Sequence, residues 1–397
     1  MKNRKNTSDS PYLRILVVCP YSHVGGAQIH TKNLFSSQSF LNVRVICPLG
    51  DSYELFKNSK IGDIRKSRFM KKYFRPEGKW NLFTILSIIF SSLLAIVEVG
   101  NQIKRFHPED VYANGTFDAL FCLLPCKLFQ VPLIVTQQLI YRDCIDILAM
   151  RIVSRFSTKQ VAISEAVLKN MSDVLPFRIF NKKCVKIFNA AKIPDIIEND
   201  SKIGPVVRIA MVSGILRWKG ILEFIEAISE IKWKFPFSYA KSIFYIIGEP
   251  TKADKESQKY FQDLLALRGK LGLNGKVDFL GKMTDIESIY SCIDCCVNFS
   301  LDPEPFGLTV VEAMARKKIV LVAAHGGPEE IVTNGMDGFH VKPNSVEDLA
   351  DKTAMIIEGI NSKEFELIRN RARKTVIDRF NLTFQQKSYY NLFRSVL

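Results

Sequence analysis

The chain is organised around one stretch, Glu304-Pro305-Phe306-Gly307-Leu308-Thr309-Val310-Val311-Glu312-Ala313-Met314. Two carboxylates stand eight residues apart in it, and Pro305 and Gly307 predict a turn between them. We predict a helix that begins near Leu308 and carries Glu312 about one turn in. The free backbone N–H groups and the positive dipole end of such a helix suit an anion or a cluster of sugar hydroxyls. The two glutamates would bracket that ligand.

The flanking residues predict a parallel α/β sheet. Cys295 to Phe299 and Ile319 to Ala324 are apolar runs typical of buried parallel strands. His325-Gly326-Gly327-Pro328 predicts a glycine-rich turn into another helix. Polar groups therefore gather at one end of the predicted sheet, which is where α/β proteins bind ligands.

These residues also carry a resemblance to a known family. Ser300-x3-Glu304-Pro305-Phe306-Gly307-Leu308, with Glu312-Ala313-Met314 and Gly326-Gly327-Pro328-x-Glu330-Ile331-Val332, resembles the E-x7-E signature of retaining glycosyltransferases of family 4, the glycosyl transferases group 1. Two carboxylates at this spacing are a weak signal alone, whereas the extended match is strong. The resemblance covers most of the chain and is specific in residues 205–340. It implies the GT-B fold, two Rossmann-like doubly wound parallel-sheet domains facing each other across a cleft.

Length and composition favour two domains, since 397 residues are more than one hydrophobic core usually supports and an apolar content of 47% is enough for two cores. With the resemblance, we expect an acceptor-binding domain over residues 1–196 and a donor-binding domain over residues 197–378. A C-terminal helix over residues 379–397 would cross back to the first domain. The nine cysteines lack zinc-ligand spacing, which favours core thiols in a reducing cytosol, and the polar N-terminus predicts no signal peptide.

The net charge of +15 is concentrated in the first half of the chain. Residues 1–196 hold 28 Lys/Arg and 14 Asp/Glu, whereas residues 197–397 hold 27 and 26. This asymmetry indicates that the first half meets an anionic surface or substrate, for which membrane lipid and nucleic acid are both candidates.

The basic residues are densest between Ile64 and Trp80, where seven Lys/Arg alternate with aromatic residues and a methionine. Such a mixture suits an anionic lipid headgroup layer or single-stranded nucleic acid, and a solvated basic loop is the plain alternative. The apolar run Leu82 to Val97 that follows is shorter than the ~20 residues of a membrane span. We expect a helix buried beside the first sheet, with one side open to lipid.

The first loop, Gly25-Gly26-Ala27-Gln28, follows a predicted strand over Leu13 to Pro20. It is not the G-x-G-x-x-G dinucleotide fingerprint, so NAD binding is set aside. A double glycine alone is as typical of a tight turn as of a ligand site. The resemblance implies that the loop lies over the donor and near the acceptor, with Ala27, Gln28 and Gln138 on the acceptor side.

In the second half, Lys219 stands directly before a predicted helix start, where a cation can clamp a diphosphate. The resemblance implies that role for Lys219, and it implies a nucleobase contact near the residues that follow Val277 to Gly281. The implied catalytic residues are Lys219, Glu304 and Arg217. The implied donor site comprises Gly25, Gly26, Lys219, Lys282, Met283, Glu304, Pro305, Phe306, Gly307, Leu308, Thr309 and Glu312.

Each implied role has a chemical reason. Lys219 would neutralise the leaving diphosphate, and Glu312 would accept hydrogen bonds from the nucleotide ribose. Glu304 and the backbone of 306–309 would hold sugar hydroxyls and phosphate. The sequence lacks an Asp-x-Asp motif, so we expect no essential metal and no cofactor beyond the nucleotide-sugar substrate.

The chain departs from the family pattern at several positions. Gly214 stands where a second cation is common, and Gln138 stands where a histidine is common; glutamine can hydrogen-bond a sugar but cannot shuttle a proton. His325 is a candidate site residue and equally a surface or core histidine. We expect the run Arg316-Lys317-Lys318 to be a solvated helix end.

Together these features predict a retaining glycosyltransferase that moves a sugar to a lipid-linked or membrane-associated glycan in surface polysaccharide biosynthesis, such as lipopolysaccharide or capsule. We expect a cytoplasmic protein, peripheral on the membrane through the 65–80 stretch, and no nucleic-acid partner. One alternative is a catalytically silent GT-B subunit that binds a nucleotide sugar or a partner transferase. A nucleic-acid-binding protein stays open although no reading element is present, and an epimerase on the same fold is a minor third possibility.

Overall fold

The structure is a computed structural model that describes residues 12–36, 38–70, 82–195, 203–251 and 254–397. The described strands are β1 (Leu13–Val18), β2 (Leu41–Pro48), β3 (Asp63–Ser67), β4 (Asp110–Ala113), β5 (Leu133–Gln137), β6 (Lys159–Ala162), β7 (Cys184–Lys186), β8 (Val207–Val212), β9 (Ser242–Ile247), β10 (Val277–Gly281), β11 (Cys295–Asn298), β12 (Ile319–Ala323) and β13 (Phe339–Val341). The described α-helices are α1 (Gly26–Phe35), α2 (Asp51–Lys57), α3 (Leu82–Phe106), α4 (Thr116–Phe129), α5 (Cys144–Phe156), α6 (Glu165–Val174), α7 (Phe177–Lys183), α8 (Ile221–Lys234), α9 (Pro236–Ala240), α10 (Lys255–Lys270), α11 (Ile286–Ser291), α12 (Leu308–Ala315), α13 (Gly326–Ile331), α14 (Val346–Gly359), α15 (Lys363–Arg379) and α16 (Leu382–Ser395).

The chain forms two compact units. The first unit comprises Met1–Asn189 and Leu382–Leu397, and the second comprises Ala190–Asn381. The first sheet has seven strands in the order β3-β2-β1-β4-β5-β6-β7, and the second has six in the order β10-β9-β8-β11-β12-β13. Neighbouring strands run parallel in both sheets. The predicted pair of Rossmann-like, doubly wound parallel-sheet domains is confirmed.

Helices cover both faces of the first sheet. Helices α3, α4 and α5 pack on the face that carries Leu16, Val18 and Val111. Helices α1, α2 and α16 pack on the other face, around Val17 and Tyr112. Fully buried parallel strands need apolar side chains on both faces, which is why these strands are continuous apolar runs.

The second sheet has one extended core in which α8, α10, α14 and α15 pack against β8, β9 and β11. Phe224 on α8 and Phe244 on β9 meet edge to face at 6.0 Å between ring centroids. This packing fixes the strands whose carboxyl ends carry the candidate site.

In both units, a hydrogen-bonded arginine–carboxylate pair joins the two central strands. Arg14 on β1 donates a side-chain hydrogen bond of 2.8 Å to Glu109, which precedes β4, and its backbone N–H donates to the same carboxylate at 2.7 Å. In the second unit, Arg208 on β8 and Asp294 before β11 repeat the arrangement at 2.8 Å and 2.8 Å. Charge-assisted, bidentate pairs of this kind are the stronger hydrogen bonds in proteins. They anchor the amino ends of the strands on either side of the point where strand order reverses.

Several local expectations are settled by the structure. The helix expected to begin near Leu308 begins there, and the run Leu82 to Val97 belongs to the longer helix α3. Of the basic-aromatic stretch, residues 71–80 lie outside the described residues. No described helix is both long enough and apolar enough to cross a bilayer.

Candidate active site

The candidate site of the second unit lies where its strand order reverses, between β8 and β11. In doubly wound sheets, the carboxyl ends of the two strands at such a point splay apart and leave a crevice for ligands. Lys219 comes from the 3₁₀ turn Arg217–Lys219 that follows β8. Glu304 comes from the loop that follows β11. The chain therefore delivers a cation and a carboxylate to the same end of the sheet from opposite sides.

These two side chains form a buried ion pair. Lys219 Nζ lies 2.8 Å from Glu304 Oε1, and each side chain is 14% exposed. The other carboxylate oxygen, Oε2, accepts hydrogen bonds from Asn298 Nδ2 at 2.8 Å and Ser300 Oγ at 2.9 Å. Lys219 Nζ also stands 4.0 Å from the centroid of the Trp218 ring, a cation–π contact that restrains the ammonium group.

This environment keeps Glu304 ionised. Burial by itself raises the pKa of the Glu304 carboxyl, but the Lys219 ammonium and the hydrogen bonds from Lys219, Asn298 and Ser300 outweigh burial and hold the pKa below its usual range. His325, one of the candidate residues, contacts the backbone of a Glu304 partner, because its Nε2 lies 2.8 Å from the carbonyl oxygen of Ser300. The result is a charged, oriented carboxylate at the strand ends.

Glycines make the close approach of these loops possible. Gly220 has φ +75°, and a Cβ there would lie 2.0 Å from the carbonyl oxygen of Phe299. A Cβ on Gly327 would lie 2.3 Å from the Cα atom of Phe306, and the Gly327 N–H donates a 2.7 Å hydrogen bond to the carbonyl oxygen of Glu304. The glycine-rich turn therefore packs directly on the Glu304 loop.

Helix α12 begins at Leu308 after Gly307, whose φ is +100° and which provides no side-chain cap. The first backbone N–H groups of α12, those of Leu308 and Thr309, are therefore left for a ligand or solvent. Pro305 is in the preceding loop. The Phe306 side chain is buried and packs 5.8 Å from the Phe380 ring, so only its backbone is placed to meet a ligand.

Glu312 has a different electrostatic setting from Glu304. Its Oε2 lies 3.0 Å from the Tyr290 hydroxyl. Burial raises the pKa of Glu312 to about 7, although the Tyr290 hydrogen bond and the Arg316 charge both lower it. The two glutamates thus titrate in different pH ranges, because only Glu304 has a cation in direct contact.

The expectation of a solvated Arg316-Lys317-Lys318 run is wrong. Arg316 is buried, its Nε donates to Glu287 at 3.0 Å, and its guanidinium stands 5.3 Å from the Tyr290 ring centroid. Burial also lowers the pKa of Lys318. Arg316 also donates to the carbonyl oxygen of Glu312 at 3.0 Å, so this residue supports the helix end that carries Glu312.

Two buried polar atoms near the strand ends have no hydrogen-bond partner among the described residues, Asn298 Oδ1 and Ser213 Oγ. Buried polar groups without partners are costly, so they often mark places where a ligand or water binds. The orientation of the Asn298 amide is fixed by Glu304, which accepts from Nδ2 and leaves Oδ1 free to accept from a ligand.

Other residues implied in the donor site lie outside this cluster. The Arg217 guanidinium stands 5.6 Å from the Tyr260 ring centroid, and no described contact joins it to Lys219 or Glu304. Lys282 and Met283 follow β10, at the carboxyl end of the same sheet, and Lys282 Nζ lies 3.6 Å from Glu249. These three residues are grouped by the sheet edge and not by direct contact.

In the first unit, Gly25 and Gly26 form the start of α1 after β1. Both are exposed, neither has a positive φ, and a Cβ on Gly26 would have no atom within 4 Å. The fold therefore does not require glycine at position 26. The absence of a side chain there leaves the helix start open to close approach by another molecule.

The acceptor-side residues are tied into a network of neutral polar groups. Gln28 is buried and its Oε1 accepts from the Gly25 N–H at 2.9 Å, so this side chain caps the helix. Gln138 Nε2 donates to Asn114 Oδ1 at 2.8 Å, and Asn114 Nδ2 donates to the carbonyl oxygen of Ala27. Asn189 Nδ2 donates to Gln138 Oε1 at 3.3 Å. Amides thus bridge β1, β4, β5 and β7 at their carboxyl ends.

Two titratable groups border this network. His30 Nδ1 donates to Asn189 Oδ1 at 3.1 Å, its Nε2 is buried without a described partner, and burial lowers the pKa of His30 to about 4. Burial raises the pKa of Asp118, on α4, to about 7, despite hydrogen bonds that lower it, one of them from Tyr21. Both side chains are therefore neutral over much of the mildly acidic range.

Sequence reasoning gave no site role to Asn298, the partner of Glu304, to Tyr290, the partner of Glu312, or to the amides Asn114 and Asn189. One signal was available, since Asn298, Asn114 and Asn189 each come at or just after the carboxyl end of a strand. Among the described residues, no group of three or more His, Cys, Asp or Glu side chains could hold a metal ion.

Residues 195–375 match the model of the family described as glycosyl transferases group 1. This part of the chain is a group 1 glycosyltransferase domain. It contains Lys219, Glu304 and Glu312, together with the supporting residues described for the second unit.

Curated relatives of the group 1 domain align over part of their length. Sucrose synthase of Denitrovibrio acetiphilus is 27% identical over 184 residues, 44% of this chain and 22% of that protein. Trehalose synthase of Thermococcus litoralis is 28% identical over 192 residues, 47% of this chain and 44% of that protein. The matched stretch thus spans less than half of either relative.

Solved structures are similar over nearly the whole chain. A glycosyltransferase from Rickettsia africae has a TM-score of 0.79 at 22% identity, covering 97% of this chain and 98% of that chain. Anabaena HepE, solved in complex with UDP and glucose, has a TM-score of 0.78 at 19% identity, covering 97% and 100%. Both units therefore have the Rossmann-like folds of GT-B glycosyltransferases.

Proposed function

We propose that this chain transfers a sugar from a nucleotide-sugar donor to an acceptor with retention of anomeric configuration. The observation that carries the proposal is the Lys219–Glu304 pair at the point where the strand order of the second sheet reverses, with Glu312 eight residues further on. A site that offers one buried cation, one ionised carboxylate and the open start of a helix suits a ligand that combines a diphosphate with sugar hydroxyls.

In the free protein Glu304 and Lys219 neutralise each other. A donor diphosphate would compete for the Lys219 ammonium and leave Glu304 to accept a hydrogen bond from a sugar hydroxyl. Asn298 Oδ1 and Ser213 Oγ, which lack partners, are available for further hydrogen bonds. Glu312 would accept hydrogen bonds from ribose hydroxyls in its ionised form, which predominates above pH 7 because burial raises its pKa to about 7. Lys282 and Met283 lie at the sheet edge proposed for the nucleobase.

Transfer would break the bond between the anomeric carbon and the diphosphate oxygen and form a bond to the acceptor oxygen on the same face. The acceptor proton would pass to the leaving phosphate. Lys219 would stabilise the negative charge that develops on that phosphate, a contribution typically worth 10²–10³ in rate. No metal ion and no enzyme nucleophile are required in this scheme.

We propose a membrane-associated glycan as acceptor, with Gly25 and Gly26 leaving room for close approach and Gln138 in the acceptor-side amide network. The excess of Lys/Arg in residues 1–196 supports an anionic membrane environment. Surface polysaccharide synthesis on the cytoplasmic membrane face would fit this acceptor.

The donor is tested by a thermal-shift screen with UDP, GDP, ADP and their common sugars on the wild type and Lys219→Ala. UDP comes first because Anabaena HepE was solved with UDP and glucose. A ligand at 100 times its Kd stabilises the folded state by about 2.7 kcal/mol. We expect one nucleotide series to raise Tm in the wild type and to lose most of that shift in Lys219→Ala, whereas the control Lys374→Ala, which removes an exposed cation on α15 outside the candidate site, retains most of it.

A second candidate function is a catalytically silent subunit that binds a nucleotide sugar. Gly214 and Gln138 favour it, since they stand where the resembled family has a cation and a histidine. Slow release of free nucleotide from the donor without any acceptor would contradict the silent subunit. Donor binding with no turnover across lipid-linked and free glycan acceptors would support it.

A further inference from the structure

The first unit has an exposed apolar surface that the proposed donor site does not use. Helices α3, α4 and α5 cover one face of the first sheet, and α4 lies between the other two. We call the solvent side of these helices the three-helix face. More than half of the residue surface is exposed at eight large apolar positions on these helices, namely Phe90, Leu93, Val97, Leu124, Leu128, Ile145, Leu148 and Phe156.

Contacts between the helices show that the three-helix face is one surface. A Cβ on Gly100 of α3 would lie 3.7 Å from the Phe129 ring of α4. Lys127 of α4 stands 5.7 Å from the centroid of the Phe156 ring of α5. Three packed helices of this length span roughly 20 Å by 20 Å. Single exposed apolar residues are ordinary, but a contiguous patch of this size marks an interaction surface.

Cations are interleaved with these apolar side chains. Lys104, Lys127, Arg151 and Arg155 are exposed on the same helices. The acids of the described part of these helices are less available, because Asp118 is buried and Glu98 accepts hydrogen bonds from Ser67 and the Arg68 N–H. The remaining acid, Asp146 on α5, is partly buried. The exposed charge of the face is therefore predominantly positive.

The chemistry of this surface favours one partner. Apolar side chains that project between cations match a bilayer surface, where rings and aliphatic groups enter the interface and cations meet anionic headgroups. A second copy of the chain fits less well, because a two-fold contact would bring the same cationic surface against itself. The second unit provides an internal contrast, since its exposed Trp233, Phe237 and Leu367 lie on α8, α9 and α15 of a nearly neutral half.

We propose that the three-helix face docks the chain on an anionic lipid bilayer. The purpose of this docking rests on the proposed transfer to a membrane-held acceptor, but lipid binding itself does not depend on nucleotide binding or turnover. The two proposals can therefore fail separately.

The test is flotation of the full chain with vesicles of phosphatidylglycerol and phosphatidylcholine, 3:7, and with phosphatidylcholine alone. One triple variant removes apolar side chains, Val97→Ser, Leu128→Ser and Leu148→Ser. Another removes charge, Lys104→Gln, Lys127→Gln and Arg155→Gln. A matched control changes the second unit, Trp233→Ser, Phe237→Ser and Leu367→Ser. All positions are exposed, so folding is preserved, and a Tm measurement checks this.

We expect the wild type to bind the anionic vesicles and to lose binding at high salt. Each cation near an anionic surface contributes about fivefold, so the charge variant should bind on the order of 100-fold more weakly. The apolar variant should bind at least about tenfold more weakly, and the second-unit control should match the wild type. Nucleotide-induced thermal shifts should persist in all variants.

Three results would overturn the proposal. The wild type could fail to bind anionic vesicles, or both three-helix variants could bind as well as the wild type. The wild type could also be a dimer that the apolar variant converts to a monomer, in which case the face joins two copies of the chain. Loss of nucleotide shifts with intact vesicle binding would instead contradict the proposed function and leave the docking surface standing.

Discussion

The two units share one strand order, apart from the additional edge strand β7 of the first, and differ in the chemistry at the point where that order reverses. Both anchor the amino ends of their central strands with an Arg–carboxylate pair, Arg14–Glu109 in the first and Arg208–Asp294 in the second. At the carboxyl ends, the second unit places the ion pair Lys219–Glu304. The first unit places neutral amides there instead, centred on Asn114.

This difference shows how one fold can prepare two kinds of ligand site. A buried cation paired with a carboxylate can exchange its partner for a phosphate, which suits a charged donor. Amides both donate and accept and carry no charge, so they suit hydroxyl groups of a sugar acceptor. The scaffold supplies only the crevice, and the residues just after each strand set its specificity.

The largest expected effect separates the charged site from its surroundings. Lys219→Ala should lower kcat for nucleotide release by about 10²–10³, because the developing phosphate charge loses its cation. Lys374→Ala is the matched control, since Lys374 on α15 is a cation that is 78% exposed and lies outside the candidate site. Initial rates with saturating donor measure both. Equal losses in the two variants would show that general positive charge, and not the buried ammonium, drives the reaction.

A substitution in the charged site of the second unit should lower the free energy of unfolding more than one in the neutral amide network of the first unit. Glu304→Gln leaves Lys219 without its carboxylate in a site where each side chain is 14% exposed, and we expect a loss of about 2–3 kcal/mol. Gln138→Ala breaks neutral hydrogen bonds only and should cost about 1 kcal/mol. Thermal unfolding compares them, with a shift of about 2–4 °C per kcal/mol for units of this size. A larger shift for Gln138→Ala than for Glu304→Gln would reverse the comparison.

A sequence can predict this much of the fold because its buried strands are continuous apolar runs, and the helix start at Leu308 follows from a Pro-Phe-Gly turn. Helix α2 was not predicted because it is only seven residues long. Helices α4 and α5 were not predicted because apolar residues such as Leu128 and Ile145 are exposed on them, so an apolar residue there does not by itself mark the buried face.

The sequence predicted those site residues that belong to the resembled family's motif. It did not predict residues whose role depends on a contact that only the folded chain makes. Lys219 and Glu304 are 85 residues apart, and only folding reveals that they touch. Tyr290 and Asn298 act through hydrogen bonds to glutamates that lie 22 and 6 residues away. The Arg316 run was misread because charge runs are usually solvated, whereas here Arg316 turns inward to pair with Glu287.

Donor affinity should depend on pH through Glu312 and not through Glu304. The pKa of Glu312 is raised to about 7 by burial, so its carboxylate fraction, and with it hydrogen bonding to ribose, falls as pH decreases through 7. Between pH 8 and pH 6 we expect affinity for a nucleotide sugar to fall about tenfold. Calorimetric titration measures it, with Glu312→Gln as the variant whose profile should be flat. A slope that persists in Glu312→Gln would assign the titration to another group.

In the first unit, Gly26→Ala separates folding from function. A Cβ there has no atom within 4 Å, and alanine favours a helix more than glycine, so Tm should stay constant or rise slightly. Transfer should nevertheless fall about tenfold, because the methyl group occupies the approach to the helix start. Gly25→Ala is the comparison variant, because its added Cβ would lie 3.4 Å from Gln28 Oε1 and is therefore less freely accommodated. An unchanged transfer rate in a stable Gly26→Ala protein would show that this loop is only a structural turn and not part of the acceptor approach.

The smallest expected effect is a gain. Gly214 follows β8, has no positive φ, and a Cβ there would meet only Leu216 at 3.9 Å, so Gly214→Arg is sterically allowed. If the second unit binds a diphosphate, a further cation at this strand end should raise donor affinity by up to about fivefold, as one solvent-exposed ion pair does. Gly214→Gln, which adds bulk without charge, should leave affinity near the wild-type value. Equal donor affinity in Gly214→Arg and Gly214→Gln would place the diphosphate away from Gly214. A gain in both turnover and affinity in Gly214→Arg would argue against a silent subunit, because the one missing cation would then account for low activity.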